Sequence, residues 1–215
     1  MQSFKSKISE IEACLLGNKL PGLTSQLKMA PVSRLTFQTE NPPYRIPQKS
    51  AVLILFYPKN NRTNLAMIKR ATDNTIHSDQ ISFPGGKVEA SDSSLIHTAL
   101  REANEEVGLD PDSVMIIGQL SKLYIPPSNF DVYPIIGVTY VTPIFSINHE
   151  VDKLLEVDLE TLINPKTRKH KTIKHRSGNE FNVPCYYIQE EIIWGATAMI
   201  VAELVDIIRS SEYKS

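Results

Sequence analysis

The chain has 215 residues, of which 41% are hydrophobic, so it can bury one substantial core. Its 23 basic and 24 acidic residues give a net charge of −1, so no global charge favours binding to nucleic acid or to an anionic membrane. Two cysteines exclude a disulfide framework, and no paired Cys and His spacing predicts a zinc site.

The N-terminal segment differs from the rest of the chain. Residues 3–17 predict a helix, and the stretch that follows is rich in proline, which breaks regular structure. The start carries no signal-peptide pattern and no apolar run is long enough to span a bilayer, so we expect a cytoplasmic protein. We expect residues 1–48 to form an arm that packs over the core or against a partner, including a second copy in a homodimer, and residues 49–215 to form the main domain.

The main domain contains several predicted strands and few predicted helices. Runs rich in β-branched and aromatic residues predict strands at 51–57, 65–70, 80–83, 114–123 and 132–141. Apolar residues at helical spacing predict helices near 93–107, 150–163 and 195–209. Segments 166–175 and 180–188, separated by Arg176-Ser177-Gly178-Asn179, predict a hairpin. Mixed strands with few helices indicate the α+β class.

The helix predicted at 93–107 carries three carboxylates, Glu102, Glu105 and Glu106, which share one face because residues three and four apart are helical neighbours. Two unit charges about 4 Å apart repel by roughly 4 kcal/mol at an effective dielectric near 20, so such a trio calls for a cation. Ligands that are all oxygen favour Mg²⁺, Mn²⁺ or Ca²⁺. The alternative is a solvated acidic face, which is a common meaning of this pattern.

A glycine loop precedes this helix. Phe83-Pro84-Gly85-Gly86 ends an apolar stretch, and paired glycines permit close backbone approach, which predicts a carbonyl oxygen beside the carboxylates. Asp92 or Ser93 is a candidate cap at the start of the helix, and Gly108 is a candidate cap at its end. The loop and the helix together predict a composite metal site.

With this loop and helix, the chain resembles the Nudix hydrolases, whose signature is a glycine, a loop and then Arg-Glu-apolar-x-Glu-Glu-x-Gly-apolar. Residues 86–109 match that signature, although eight residues separate Asp92 from Arg101 where the usual form has seven. The resemblance implies an α/β/α sandwich with a mixed central sheet and metal-dependent cleavage of a diphosphate.

A second resemblance concerns the substrate. Residues 70–86 look like the element of the coenzyme A pyrophosphatase branch, with Arg70, His77 and Gln80 in matching positions as candidate substrate-binding residues. Two positions depart from that branch, because Thr75 stands where it has a second Arg and Asp79 where it has Gly. Neither residue can replace an arginine that binds a phosphate through two hydrogen bonds. The alternative for Arg70 is simple solvation of a strand end.

The Nudix resemblance also implies roles for the site residues. On this resemblance, Glu105 and Glu106 would bind Mg²⁺ or Mn²⁺, Glu102 would be a further ligand or activate water, and the Gly86 carbonyl would complete the ligand set. Arg101, four residues before Glu105, pairs with that carboxylate and fixes its rotamer. Either Glu102 or Glu150 accepts the proton of the attacking water.

Three functions remain in view. The first is a metal-dependent pyrophosphohydrolase that splits coenzyme A or acyl-coenzyme A into adenosine 3′,5′-bisphosphate and (acyl) 4′-phosphopantetheine. The second is hydrolysis of another nucleoside diphosphate derivative, such as ADP-ribose, NADH or a dinucleotide, which Thr75 and Asp79 favour if they reshape the pocket. The third is a non-catalytic binding module with the same fold, which usually loses the metal-binding carboxylates that this chain keeps.

Overall fold

The computed structural model describes residues 3–17, 20–31, 46–71, 79–174 and 180–212. In chain order its helices and strands are α1 (Phe4–Gly17), α2 (Leu23–Gln26), β1 (Gln48–Lys59), β2 (Arg62–Arg70), β3 (Ile81–Ser82), β4 (Gly85–Lys87), α3 (Leu95–Val107), β5 (Met115–Gln119), β6 (Leu123–Ile125), β7 (Phe130–Val138), β8 (Val151–Asp158), α4 (Leu159–Ile163), β9 (Arg168–Lys174), β10 (Glu180–Ile188), β11 (Glu191–Trp194) and α5 (Gly195–Glu212). Short 3₁₀ turns lie at Leu27–Met29, Pro111–Ser113 and Pro165–Thr167.

A mixed sheet forms the centre of the fold. Its strands run in the order β3-β2-β1-β7-β5, with β4 on β1, β6 on β7 and β8 on β2. Strands β1 and β7 are parallel, whereas the other pairings in this sheet are antiparallel. A mixed sheet with helices on both faces confirms the predicted α+β sandwich.

Local turn chemistry fixes part of the strand order. Asn60 and Asn61 have φ angles of 52° and 59°, the left-handed values that a two-residue hairpin turn of type I′ requires. Asparagine tolerates this region better than most residues. The turn pairs Lys59 with Arg62 and so sets the register of β1 against β2.

The two faces of the sheet pack against different helices. Side chains that alternate along β1, such as Leu53 and Leu55, contact α3 in one hydrophobic cluster. The intervening side chains, Ile54 and Phe56, lie in a second cluster with α1 and α5. The sheet is therefore covered on both faces. The carboxylate-bearing helix α3 covers one face, and α1 and α5 cover the other.

The two ends of helix α3 are specified by single residues. Ser94 is the N-cap, since its hydroxyl accepts from the His97 N–H at 3.1 Å. The prediction that Asp92 or Ser93 caps this helix was therefore wrong, because the Asp92 carboxylate contacts Arg101 instead. Gly108 ends the helix with a φ of 67°, as predicted.

Two other expectations also need correction. The segment predicted as a helix at 150–163 is mostly strand β8, and only Leu159–Ile163 is helical. The apolar residues of β8 explain the error, because Val151, Leu154 and Leu155 fall at helical spacing although they belong to a strand. The strand predicted at 114–123 is two strands, β5 and β6, of which β6 begins at Leu123.

A smaller sheet and the N-terminal helices complete the fold. Strands β11, β10 and β9 form a three-stranded antiparallel sheet, which confirms the two strands of the predicted hairpin, whereas its turn at 176–179 lies outside the described residues. Ile8 and Ile11 of α1 are buried in the same cluster as α5. The division between residues 48 and 49 stays a prediction. Over the described ranges, no helix is both long and apolar enough to cross a membrane.

Candidate active site

The three carboxylates of helix α3 differ in their exposure. Glu106 is 2% exposed, the side chain of Glu102 is 16% exposed, and that of Glu105 is 53% exposed. Solvent exposure of the three carboxylates therefore increases from Glu106 through Glu102 to Glu105. A fully solvated acidic face, the alternative from the sequence, does not describe Glu106 or Glu102.

The glycine loop is held directly against these carboxylates. Strand β1 pairs with β2 through Phe56–Lys59 but with β4 through Ser50–Val52, so β4 fills the gap that opens beside α3. The Gly85 N–H donates to Glu106 Oε2 at 2.9 Å. A β-carbon at Gly86 would lie 2.4 Å from the carboxylate carbon of Glu102.

The neighbouring glycine is required for a different reason. A β-carbon at Gly85 would lie 2.4 Å from the Ala51 carbonyl oxygen and 2.6 Å from the Val52 α-carbon. Backbone atoms cannot move aside as a side chain can. Gly85 therefore allows β4 to pack on β1, whereas Gly86 makes room for the Glu102 carboxylate.

Arg101 organises the exposed half of the carboxylate group. Its Nη2 lies 2.9 Å from Glu102 Oε1, and its Nη1 lies 3.1 Å from Glu105 Oε2. The contact with Glu105 is the one that the helical spacing predicted. Arg101 also donates to the Lys87 carbonyl at 3.2 Å, so one guanidinium ties the helix to the end of β4.

Arg101 is itself fixed by Asp92, for which the sequence predicted a helix cap and the acidic position of the family signature but no contact with Arg101. The Asp92 side chain is wholly buried and accepts from Arg101, from the Thr98 hydroxyl at 2.9 Å and from the Glu89 N–H at 2.9 Å. The hydrogen bond from Arg101 holds the pKa of Asp92 well below its usual range, and the same bond raises the pKa of Arg101. The acidic position of the family signature was the sequence feature that could have identified this anchor.

Arg70 contacts the buried carboxylate of α3 and a half-exposed carboxylate outside that helix. Its Nη1 lies 3.0 Å from Glu106 Oε1, and its Nη2 lies 3.8 Å from Glu150 Oε2. Glu150 reaches this place from the turn before β8, where its N–H donates to Asn148 Oδ1 at 2.8 Å. The guanidinium of Arg70 thus lies among carboxylates and does not merely solvate a strand end.

Burial is the largest influence on the pKa of Glu106 and on that of Glu102. It raises the pKa of Glu106 to about 7, although the Gly85 N–H and Arg70 act in the opposite direction. Burial also raises the pKa of Glu102, with Arg101 opposing it and with the charges of Glu105 and Glu150 adding to the increase. These mutual effects place the four carboxylates within electrostatic reach of one another.

The remaining predicted substrate residues have different outcomes. The Gln80 carbonyl accepts from the Arg70 N–H at 3.0 Å, which places the Gln80 backbone beside Arg70. His77 and Thr75 lie outside the described residues. Asp79 has a φ of 60°, and its carboxylate lies 3.3 Å from Lys69 Nζ. Sequence reasoning missed this pair, because nothing in the spacing ties Lys69 to the turn after β2.

The oxygen donors at this place are of the kind that hard divalent cations prefer. The described residues bring no three His, Cys, Asp or Glu side chains together as a ready ligand group, and the carboxylates are held by the two arginines instead. The chemistry nevertheless fits Mg²⁺ or Mn²⁺, because the available donors are carboxylate oxygens on one helix turn beside a glycine backbone. Glu102, Glu105 and Glu106 are the residues that can hold such an ion, and the Gly86 carbonyl stays a predicted ligand.

Comparison with known proteins agrees with this geometry. A family model described as the NUDIX domain matches residues 47–174. Two relatives, each named "Uncharacterized Nudix hydrolase NudL", come from Yersinia pestis (strain Pestoides F) and Yersinia pseudotuberculosis serotype O:1b (strain IP 31758); each is 35% identical over 158 residues, which cover 73% of this chain and 78% of the relative. The crystal structure of the MutT/nudix family protein from Enterococcus faecalis aligns with a TM-score of 0.50 at 15% identity, over 95% of this chain and 75% of that one, and shows a shared fold.

Proposed function

Because the chain belongs to the Nudix hydrolase family and is a pyrophosphatase, we propose that its substrate is coenzyme A or an acyl-coenzyme A. The enzyme would release adenosine 3′,5′-bisphosphate and 4′-phosphopantetheine, or the acyl form of the latter. Members of this family generally use divalent metal ions, and we propose Mg²⁺ or Mn²⁺ here. We also propose that the enzyme acts in the cytoplasm.

One observation carries the choice of substrate. The segment that resembles the coenzyme A branch runs from Arg70 to Gly86, and three of its residues contact the carboxylates of α3. Arg70 and Gly85 donate to Glu106, and Gly86 lies against Glu102. The described ends of this segment therefore contact the carboxylate-bearing helix α3, which supports a shared function.

The departure at Asp79 is compatible with this branch. Glycine is the residue that most readily adopts the positive φ found at this position, and aspartate is among the few others that tolerate it. The Asp79 carboxylate faces Lys69, so a cation offsets part of its charge. Asp79 therefore adopts a backbone conformation that glycine also adopts readily, although the side chain differs.

Each residue of the group has a distinct task in diphosphate cleavage. When bound, the divalent ion lowers the pKa of a water molecule and neutralises charge on the diphosphate. Glu106 and Glu105 supply negative oxygens to hold it, and Arg101 orients Glu105. We propose Glu102 as the acceptor of the water's proton, with Glu150 as the alternative, because burial raises the pKa of Glu102 toward a range useful for a base.

A second candidate function is hydrolysis of another nucleoside diphosphate derivative. It is favoured by Thr75, which stands where the branch has an arginine that can bind a phosphate. Loss of that contact removes a reason to prefer coenzyme A, with its additional phosphate, over ADP-ribose, NADH or a dinucleotide. The non-catalytic binding module considered from the sequence is not supported, because the three carboxylates of α3 are all present.

A substrate panel tests the proposal. The purified protein is incubated with coenzyme A, dephospho-coenzyme A, ADP-ribose and NADH, each with Mg²⁺ or Mn²⁺, and the products are identified by mass spectrometry. We expect the highest kcat/KM for coenzyme A, with adenosine 3′,5′-bisphosphate as one product. Dephospho-coenzyme A is the matched control for the 3′-phosphate. Faster turnover of ADP-ribose or NADH would reject coenzyme A and support the second candidate.

A further inference from the structure

Arg70 holds a carboxylate that cannot rely on water. Glu106 is 2% exposed, and each of its oxygens already has a protein donor: Arg70 Nη1 at 3.0 Å from Oε1 and the Gly85 N–H at 2.9 Å from Oε2. Burying a carboxylate is costly unless a cation or hydrogen-bond donors compensate it. Arg70 provides the positive charge for this compensation.

The backbone places Arg70 in this position. The pairing of β2 with β8 shifts register between Lys69 and Arg70, and such irregularities change the direction of a side chain. The Arg70 N–H donates to the Gln80 carbonyl at 3.0 Å, and the Ala71 N–H donates to the Glu150 carbonyl at 2.8 Å. The end of β2 is therefore fixed on both sides, and the guanidinium reaches Glu106 from a defined strand end.

We infer that Arg70 is the internal counter-cation of Glu106, so that a divalent metal ion and this guanidinium compete for the same carboxylate. This inference depends on the proposed role of Glu106 as a metal ligand, but it does not depend on which diphosphate is the substrate. It differs from the substrate-binding role predicted from the sequence, because Arg70 acts here through Glu106. Arg70 is thus a positioning residue.

The inference has two consequences of opposite sign. Two cations that share one carboxylate repel each other, so the charge of Arg70 weakens metal binding. The same charge stabilises the protein without metal, because removing one partner of a buried pair leaves the other uncompensated. A variant with a neutral residue at position 70 should therefore bind metal more tightly than the unchanged protein and be less stable than it in the absence of metal. A residue whose only role is structural would not tighten metal binding when it is removed.

The experiment compares Arg70→Gln and Arg70→Leu with Arg70→Lys, which keeps the charge. Calorimetric titration with Mn²⁺ alone, without substrate, measures metal affinity at pH 8.0, and thermal unfolding with a chelator measures stability. We expect the two neutral variants to bind Mn²⁺ about fivefold more tightly, the equivalent of roughly 1 kcal/mol. We expect Arg70→Lys to bind it as the unchanged protein does. Having two neutral variants keeps the test decisive if one of them fails to fold.

The other outcomes are also decisive. Unchanged or weaker Mn²⁺ binding in the neutral variants overturns the inference. A raised KM for the diphosphate substrate at saturating metal, with unchanged Mn²⁺ affinity, returns Arg70 to the substrate-binding role predicted from the sequence. Mn²⁺ affinity that is also unchanged in Glu106→Gln would instead reject Glu106 as a metal ligand, which separates failure of the metal assignment from failure of the inference about Arg70.

Discussion

Asp92 and Arg101 form a two-point ion pair: Arg101 Nε lies 3.0 Å from Asp92 Oδ1, and Arg101 Nη2 lies 3.1 Å from Asp92 Oδ2. The same guanidinium contacts Glu102 and Glu105. A wholly buried carboxylate thus fixes the residue that orients two members of the candidate metal site. This chain of contacts links the stability of α3 to the position of its carboxylates.

Asp92→Asn is expected to reduce both stability and turnover. The amide cannot accept on both sides of the Arg101 fork, so the free energy of unfolding should fall by about 2–4 kcal/mol. The value of kcat should also fall, because Glu102 and Glu105 lose a fixed partner. Urea unfolding and steady-state kinetics measure the two effects, with the exposed Asp112→Asn as the control. A variant with normal kcat despite lower stability would show that Arg101 does not need Asp92 for its role at the site.

Substitution of the two adjacent glycines should have different effects, one mainly on activity and the other mainly on stability. In Gly86→Ala, the new methyl group meets the end of a flexible side chain, so Glu102 moves while the fold is kept. Activity should fall by up to about 100-fold, as expected for small displacements of a catalytic group. In Gly85→Ala, the methyl group meets the backbone of β1, so stability should fall by more than about 2 kcal/mol. Thermal unfolding and kcat of both variants measure this; equal effects of the two changes on stability would contradict it.

The stability of the metal-free protein should depend on Glu106 between about pH 4.5 and 7. The folded-state pKa of Glu106, about 7, is above its usual value of 4.5, so the folded protein retains a proton that the unfolded chain releases. The contribution is fully present below pH 4.5 and is lost as the pH rises through 7, by at most about 3 kcal/mol. Urea unfolding with a chelator at several pH values measures this loss. Glu106→Gln should remove that part of the slope, and an unchanged slope in this variant would assign the pH dependence to other groups.

Glu106→Gln should also remove most hydrolysis while the fold is kept. The substitution removes the negative charge of one proposed metal ligand. Changes to groups that only support metal ligands lower activity by about 10–100-fold, so kcat/KM should fall by at least as much here. The measurement is kcat/KM at saturating Mg²⁺ or Mn²⁺, with circular dichroism to check folding. Glu160→Gln, at an exposed position of α4, is the matched control. Full activity in Glu106→Gln would reject its assignment as a metal ligand.

Asp79 tests whether an added negative charge weakens binding of an acidic substrate. Because the Asp79 side chain is 64% exposed and lies 3.3 Å from Lys69 Nζ, its removal should lower KM for coenzyme A by no more than about fivefold. Asp79→Gly and Asp79→Asn separate charge from backbone, since both lose the charge while asparagine also tolerates a positive φ. Equal decreases in KM identify the charge as the cause. If KM is unchanged in both variants, the hypothesis that Asp79 weakens coenzyme A binding should be dropped.

The sequence alone determined features that depend on neighbouring residues. Helix α3, its end at Gly108, and the pairing of Arg101 with Glu105 follow from spacing along one helix, and all three are present. The strands of the hairpin around residues 176–179 and the α+β class were also predictable, because side-chain periodicity is a local property. The family signature also indicated that a glycine loop precedes the helix that carries the carboxylates.

Only the tertiary structure decided which groups meet across the sheet. The contact of Arg70 with Glu106 joins residues 36 positions apart, and the contact of Lys69 with Glu191 joins residues 122 positions apart. Strand β8 was predicted as a helix because Val151, Leu154 and Leu155 fall at helical spacing. The strand that forms instead begins beside Glu150, which lies near Arg70. The physical reason is that spacing fixes which side chains share a face of one element, whereas burial and counter-charges depend on how separate elements pack.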